Sequence, residues 1–160
     1  MALKIIFMGT PVFAVPILKS IHESEHNIIC VYTQPAKKKN RGLKKSVSPV
    51  HSFAKKSNLK VITPENFNND EEYNIIKNLK ADVAVVVAYG KILPEKVLSI
   101  DTIFINVHAS ILPKWRGAAP IQRAIMNLDK ETGISIMKIT KQLDAGPVML
   151  RAKINISRNT

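Results

Sequence analysis

The sequence predicts an α/β domain built on an open, twisted, mostly parallel sheet with helices on both faces. Apolar segments of strand length alternate with segments of helical pattern along the chain, and residues 82–89 form an almost unbroken run of valine and alanine. Such alternation is typical of parallel sheets flanked by helices. Continuous apolarity over a strand is typical of a central parallel strand that is covered on both faces. With 160 residues the chain is long enough for one domain with a substantial core.

The first half of the chain gives two units of strand, turn and helix. Residues 3–8 are the first predicted strand, and Gly9 ends it. Thr10 is the predicted N-cap of the next helix, with Pro11 at its first position. Residues 28–33 are the second strand, and Ser48 with Pro49 repeats the cap-and-proline signal before a second helix.

The remaining elements follow from length and periodicity. Five more strands and two more helices are expected. Their predicted ranges are 60–63, 82–89, 103–107, 134–139 and 148–156 for the strands, and 71–79 and 118–128 for the helices. The last strand alternates polar and apolar residues, which predicts an antiparallel strand at an edge. Within the last helix, the apolar side chains at 121, 124, 125 and 128 predict a packing face.

The charge balance is strongly basic, with 24 Lys and Arg against 12 Asp and Glu and a net charge of +12. Such an excess favours a polyanionic partner or an anionic substrate. Part of it lies in the basic segment, residues 37–45, which we expect to be a mobile loop.

Cysteine content and the amino terminus restrict the environment of the protein. The single cysteine, Cys30, lies in an apolar run and is expected to be a small core residue, which leaves no intrachain disulfide and no cysteine-built zinc site. The apolar start is too short for a signal peptide, and no run of 18 apolar residues occurs. We therefore expect a soluble, cytoplasmic protein.

Several common catalytic sequences are missing. The turn Gly9-Thr10-Pro11 has one glycine where a dinucleotide-binding turn has three, so a nicotinamide or flavin cofactor is not expected. The sequence also has no Walker motif, no H-E-x-x-H and no G-x-S-x-G, which argues against nucleotide hydrolysis, zinc hydrolysis and serine esterase chemistry.

A polar pair ends the predicted strand 103–107. Asn106 and His108 are two residues apart, so on an extended chain both side chains point to the same face. An amide that donates to a developing oxyanion, next to an imidazole that handles protons, is suited to acyl transfer. The alternative is that the pair only makes local hydrogen bonds at a strand end.

The residues that follow this pair carry a family resemblance. Residues 110–120, SILPKWRGAAP, resemble the signature of folate-dependent formyltransferases. Five blocks resemble the methionyl-tRNA formyltransferase family in order and spacing, and together they span residues 3 to about 156. These blocks are IFMGTPVFAVP at 6–16, VVVAYGKILP at 85–94, WRGAAPIQRAI at 115–125, ETGISIM at 131–137 and LDAGP at 143–147.

The resemblance implies a formyltransferase fold that is Rossmann-like. It also implies transfer of a formyl group from 10-formyltetrahydrofolate to the amino group of methionine on initiator tRNA. Asn106 would then bind the formyl oxygen, and His108 would polarise the formyl carbonyl or carry a proton. Asp144 would orient the histidine or accept the proton of the amine through a water. For Asp144 the alternative is a turn that its own side chain stabilises before Gly146.

Substrate-binding residues are likewise implied by the resemblance. Two segments are implied for donor binding: the first would line the folate pocket, and backbone groups of the second would face the pterin ring. These are Ser110, Ile111, Leu112 and Pro113, and Ala88, Tyr89, Gly90, Ile92 and Leu93. Contact with tRNA is implied for Arg41, Gly42, Lys44 and Lys45, although the lysine run at 37–39 departs from the usual pattern. No metal is implied, and Trp115 and Arg116 would either contact substrate or form a structural clamp.

Members of that family are longer than this chain. The resemblance therefore implies that residues 1–160 form a catalytic domain that lacks its last helices and a C-terminal tRNA-binding β-barrel domain. We expect exposed apolar surface in consequence, and the family leads us to expect a monomer. Two other functions stay open: a formyltransferase of the same fold that acts on glycinamide ribonucleotide or an amino sugar, and a non-catalytic, basic nucleic-acid-binding fragment.

Overall fold

The computed structural model describes residues 1–39 and 44–157. The chain divides into two compact units, Met1–Ile103 and Phe104–Thr160. Within the described ranges, the longest helix has nine residues, and none is both long and apolar enough to cross a membrane.

The first unit contains a parallel sheet. Its strands are β1 (Lys4–Gly9), β2 (Asn27–Tyr32), β5 (Val61–Ile62) and β6 (Val83–Val87), in the order β5-β2-β1-β6. All three strand pairs are parallel. Because β1 lies between β2 and β6, its residues from Ile5 onward are buried, as continuous apolarity predicts for a central strand.

In the described residues, three helices connect these strands and a fourth follows β6. They are α1 (Val15–His22), α2 (Pro49–Lys56), α3 (Asp70–Asn78) and α4 (Glu95–Leu98). The predicted cap of α2 is confirmed, because the hydroxyl of Ser48 accepts a hydrogen bond from the amide of His51 at 3.0 Å. The side chain of Asn69 caps α3 in the same way. The four-residue α4 was not predicted, since it is too short for a helical period to show.

The predicted cap at Thr10 is wrong. A short 3-10 helix, Val12–Ala14, precedes α1, and neither has a side-chain cap. The Thr10 hydroxyl instead donates to the carbonyl of Tyr89 at 2.8 Å. A tertiary acceptor therefore replaces the local one that the cap signal assumed.

The expected mobile loop is also corrected where the structure describes it. Lys37–Lys39 forms β3 and Lys44–Ser46 forms β4, and the two strands pair antiparallel. The lysines give no apolar period, so the sequence offered no sign of backbone pairing.

The core of this unit confirms the expectation for cysteine. Cys30 has no exposed surface and lies beside Ile6 in the sheet. Burial raises the pKa of its thiol to about 12, so the side chain behaves as an apolar residue at neutral pH.

In its described residues, the second unit contains three antiparallel strands and one helix. Strand β7 (Ile103–His108) begins at the boundary, β8 (Glu131–Lys138) pairs with it, and β9 (Val148–Asn155) pairs with β8. The antiparallel outer strand β9 is confirmed. Antiparallel pairing starts one strand earlier than expected, however, because β8 also runs against β7.

Helix α5 (Pro120–Met126) follows Ala119, which has a left-handed φ of 58°. Of its predicted packing face only Ala124 is buried. Ile121, Ile125 and Leu128 are exposed, as are Met149, Leu150 and Ile154 of β9. Exposed apolar surface was expected for this chain.

Candidate active site

Asn106 and His108 lie on the same face of β7. They pair in register with Met137 and Ser135 of β8, and both contact the carboxylate of Asp144. The prediction that both side chains point to one face of an extended strand is confirmed, while their joint action on a substrate stays a prediction.

Asp144 is the centre of the cluster. Its Oδ1 accepts a hydrogen bond from Asn106 Nδ2 at 3.2 Å, and its Oδ2 accepts one from the backbone amide of Gly117 at 2.8 Å. The side chain is 12% exposed, and its residue has a left-handed φ of 44°, a conformation that aspartate tolerates better than most residues. Both hydrogen bonds reach distant residues. The side chain of Asp144 therefore bonds to Asn106 and Gly117 and does not stabilise its own turn.

The ring of His108 lies between two acceptors. Nε2 is 2.9 Å from the carbonyl oxygen of Trp115, and Nδ1 is 3.6 Å from Asp144 Oδ2. A carbonyl can only accept, so the proton of the neutral ring belongs on Nε2. A second proton on Nδ1 would face the carboxylate. The side chain is only 6% exposed, so these contacts are largely screened from water.

Residues 110–113 are held by a buried serine of β8. Ser135 Oγ donates to the carbonyl of Ser110 at 2.7 Å and accepts from the amide of Leu112 at 3.0 Å. Arg151 of β9 donates to the carbonyl of Leu112 at 3.2 Å, and the bond from Leu112 to Pro113 is cis. Leu112 itself is a core residue, 3% exposed, whereas Ile111 is half-buried and Pro113 is exposed.

Trp115 is fixed from its side chain as well as from its backbone. Its indole Nε1 donates to Asp129 Oδ2 at 2.7 Å. Asp129 also accepts from Lys114 Nζ at 2.6 Å and from Asn127 Nδ2 at 2.8 Å. These bonds, led by that from Lys114, lower the pKa of Asp129 to about 2. We call Asp129 and its three donors the Asp129 cluster.

A cavity of about 130 Å³ borders this cluster. Its lining is Ile111, Lys114, Trp115, Asp129, Glu131 and Thr132. Among the described residues, no group of three or more His, Cys, Asp and Glu side chains is placed to hold a metal ion.

The segment 88–93 belongs to the first unit, where Thr10 and Gln34 hold it. The amide of Gln34 donates to the carbonyls of Tyr89 and Gly90, both at 3.1 Å, and Thr10 also donates to Tyr89. Ala88 and Gly90 have left-handed φ angles of 44° and 75°.

The side chains of this segment differ in exposure. Tyr89 is 2% exposed and stacks edge-on against Phe67. Ile92 is 91% exposed, while Leu93 is half-buried.

Of the residues implied for tRNA contact, Arg41 and Gly42 lie outside the described residues. Lys44 and Lys45 belong to β4 by their backbone, and their side chains lie outside the described part of the chain.

Four groups near Asn106, His108 and Asp144 were not predicted. They are the hydroxyl of Ser135, the carboxylate of Asp129, the carbonyl of Trp115 and the amide of Gly117. Ser135 did carry a signal, because it shares an inward face of β8 with Gly133 and Met137 and a buried polar residue needs partners. The two backbone groups carry none, since every residue has them.

Comparisons with known proteins identify the family of the chain. A family profile described as "Formyl transferase" matches residues 3–160. The chain is 56% identical to the methionyl-tRNA formyltransferase of Pelagibacter ubique over 99% of its own length and 53% of the relative's. It is 53% identical to the methionyl-tRNA formyltransferase of Agrobacterium fabrum, with 99% and 52% covered. The chain thus spans about half the length of the curated relatives it matches.

Solved structures share the fold at low sequence identity. A phosphoribosylglycinamide formyltransferase from Anaplasma phagocytophilum has a TM-score of 0.80 at 20% identity, covering 100% of this chain and 76% of that one. A formyltetrahydrofolate deformylase from Pseudomonas syringae has a TM-score of 0.75 at 20% identity, covering 100% of this chain and 53% of that one. The α/β fold predicted from the sequence is confirmed.

Proposed function

The chain belongs to the formyl transferase family, and on that premise we propose that it carries the formyl-transfer site of a methionyl-tRNA formyltransferase. The proposed reaction moves a formyl group from 10-formyltetrahydrofolate to the amino group of methionine on initiator tRNA. The observation that carries the proposal is the convergence of Asn106, His108 and the Gly117 amide on Asp144. The names of the curated relatives support the choice of substrates.

Asn106 is the proposed donor to the formyl oxygen. Its amide has two N–H bonds, and one of them donates to Asp144. The other is available for the oxygen as negative charge develops on it. Loss of one such donor costs about 10² to 10³ in rate at comparable sites.

His108 and Asp144 are the proposed proton carriers. Between the two roles open to His108, the contact of Nε2 with the Trp115 carbonyl supports proton transfer over polarisation of the formyl group. The exchangeable position is then Nδ1, which faces Asp144. Asp144 accepts the proton of the attacking amine through a water, and His108 shares it.

The reaction needs no covalent bond to the protein. The amine nitrogen forms a bond to the formyl carbon, and the bond from that carbon to nitrogen 10 of the donor breaks. One proton leaves the amine, and one proton reaches the donor nitrogen through the His108–Asp144 pair. Cys30, buried and with a raised pKa, is unsuited to act as a nucleophile.

Donor binding is assigned to the two segments named above. In residues 110–113 the bonds from Ser135 fix the backbone. In residues 88–93 Thr10 and Gln34 hold the backbone whose groups are proposed to face the pterin ring, and the exposed Ile92 adds an apolar surface. A fixed backbone and an apolar surface are both suited to binding the flat ring of the folate donor.

Contact with tRNA is assigned to Arg41, Gly42, Lys44 and Lys45. The net charge of +12 supports a polyanionic partner. The affinity should fall as the salt concentration rises, and more steeply for each tRNA phosphate that a lysine or arginine neutralises. A substrate of this kind supports a cytoplasmic location for the proposed reaction.

The test is a formyl-transfer assay with 10-formyltetrahydrofolate and charged initiator tRNA. It uses this chain, and this chain joined to the C-terminal half of the Pelagibacter ubique relative. We expect Asn106→Ala to lower the rate about 10² to 10³-fold, while the exposed control Asn155→Ala leaves it unchanged.

Two results would contradict the proposal. Formylation of glycinamide ribonucleotide or an amino sugar, but not of charged tRNA, would replace the proposed substrate. A basic nucleic-acid-binding fragment would lose nothing with Asn106→Ala. It would also show no rise in melting temperature with a folate analogue, whereas a ligand that binds the folded state raises it.

A further inference from the structure

Asp129 is connected to the proposed proton carrier, His108, through a single residue, Trp115. Asp129 accepts from Lys114, Trp115 and Asn127, and its side chain is only 8% exposed. Trp115 in turn presents its carbonyl to His108 Nε2. Asp129 and His108 are thereby connected through one residue that both of them hold.

The backbone of Trp115 would not take its position by itself. Its φ is 59°, in the left-handed region that bulky residues avoid. Such a conformation persists only where the surroundings impose it. Two sets of contacts do so here: the indole bond to Asp129, and the bond from Ser110 Oγ to the carbonyl of the preceding residue, Lys114, at 2.5 Å.

The direction of the Trp115 carbonyl decides where the proton of His108 lies. Facing Nε2 at 2.9 Å, the carbonyl holds the proton of the neutral ring there and leaves Nδ1 free to exchange a proton toward Asp144. If the carbonyl turned away, the neutral ring would be free to place its proton on Nδ1 instead. The nitrogen that has to receive a proton would then already carry one.

We propose that Asp129 is a positioning residue, which holds the Trp115 carbonyl against His108 and so fixes the tautomer of the proposed proton carrier. Asp129 touches neither His108 nor Asp144 in the hydrogen bonds of the described structure and acts through Trp115 alone. Its effect on catalysis rests on the proposed function, whereas its effect on the tautomer does not.

The cavity of about 130 Å³ makes the contact sensitive to Asp129. Trp115 and Asp129 are both among its lining residues, so the side chain of Trp115 has space to move when its acceptor is removed. The strained backbone of Trp115 can then relax, and the carbonyl is no longer held.

The first experiment reads the tautomer directly, by ¹⁵N NMR of the ring nitrogens in histidine-labelled protein. His108 is identified among the four histidines with His108→Gln. We expect a protonated Nε2 in the unsubstituted chain, and averaging of the two tautomers in Asp129→Ala. Asp129→Asn, which keeps an oxygen acceptor, should restore the original signals.

Two further variants separate the arms of the cluster. Trp115→Phe removes the indole donor but keeps the contacts of Asp129 with Lys114 and Asn127. It should therefore change the His108 ring signals as Asp129→Ala does. If Asp129→Ala does not fold, Trp115→Phe alone tests the positioning role. Lys114→Ala is the matched control, because it removes an exposed ion pair and leaves the indole bond in place. Identical His108 ring signals in the unsubstituted chain, Asp129→Ala and Trp115→Phe would overturn the proposal, as would an equal change in Lys114→Ala.

The catalytic consequence is measured in the formyl-transfer assay. A misplaced proton carrier should lower kcat of Asp129→Ala about 10- to 100-fold with a smaller change in KM, because the contact affects orientation more than binding. If no variant transfers formyl groups, the proposed function fails while the NMR result still decides the role of Asp129. A tautomer that changes while kcat does not would refute the positioning role.

Discussion

Replacing Ser135 by alanine tests how the donor-binding segment is held. The Ser135 hydroxyl is fully buried, and it satisfies the carbonyl of Ser110 and the amide of Leu112 at the same time. Ser110 and Leu112 are 0% and 3% exposed. Ser135→Ala therefore leaves two polar groups of the backbone without a partner and away from water.

The expected cost follows from these two groups. A buried donor or acceptor that loses its partner costs about 1 to 3 kcal/mol. The space left by one hydroxyl is too small to admit a water in its place. For two such groups we expect a loss of about 2 to 6 kcal/mol in the free energy of unfolding, which is roughly a 30- to 25,000-fold change in the unfolding equilibrium.

Urea denaturation followed by the fluorescence of Trp115, the single tryptophan, measures this loss. The control is Thr140→Ala, which removes an exposed hydroxyl of the same unit and should change stability by less than about 0.5 kcal/mol. Amide exchange at Leu112 should also become faster in Ser135→Ala. If the two variants were equally stable and the Leu112 amide stayed protected, the hydroxyl would not be what holds this segment.

Three other expectations follow from single contacts. Gly90→Ala should lower the free energy of unfolding by about 1 to 2 kcal/mol or more, because Gly90 has a φ of 75° and a new Cβ would overlap the side-chain amide of Gln34. Gly117 has a φ of 83°, but a Cβ there would meet only Leu143, at 3.7 Å. Gly117→Ala should therefore cost less in the same urea denaturation experiment. The pKa of Asp129 is lowered from 3.8 to about 2 in the folded protein, so as the pH falls the unfolded chain takes up a proton at this residue before the folded one does. The stabilisation from Asp129 is therefore complete above pH 4 and is lost as the pH falls toward 2. In Asp129→Asn, the free energy of unfolding measured between pH 2 and 5 should lose this part of its pH dependence. Cys30, buried with a pKa near 12, should resist iodoacetamide at pH 8 in the native protein and react in urea, and equal rates in both would contradict its burial.

The strands could be predicted from sequence because their signal is local. Continuous apolarity identified β1 and β6, and alternation identified β9 as an antiparallel outer strand. Predictions failed where a partner distant in sequence decided the outcome. Thr10 donates to a carbonyl 79 residues away in place of capping a helix, and the lysines of β3 pair with β4 with no apolar pattern to indicate it.

The candidate site divides in the same way. Asn106 and His108 follow from the geometry of one strand, whereas Asp144 lies 38 residues from Asn106 and was identified only through the family resemblance. Its side chain would have suited a local turn equally well. A pattern of single residues does not encode which of two acceptable partners a carboxylate takes, because that depends on how β8 returns the chain to β7.

Much of the cluster is held by backbone groups, and this decides what kind of change it tolerates. The Trp115 carbonyl and the Gly117 amide reach His108 and Asp144 from a stretch in which Trp115, Gly117 and Ala119 all have positive φ angles. Glycine tolerates a positive φ, but Trp115 and Ala119 do not, so the loop depends on anchors that hold them in this conformation. Asp129 anchors one end through Trp115, and Asp144 anchors the middle through Gly117. The carboxylate of Asp144 therefore has two functions that cannot be separated by removing it: it faces the proposed proton carrier, and it holds the loop whose carbonyl orients that carrier. Substitution of Asp129, which has only the second function, is the change that distinguishes them.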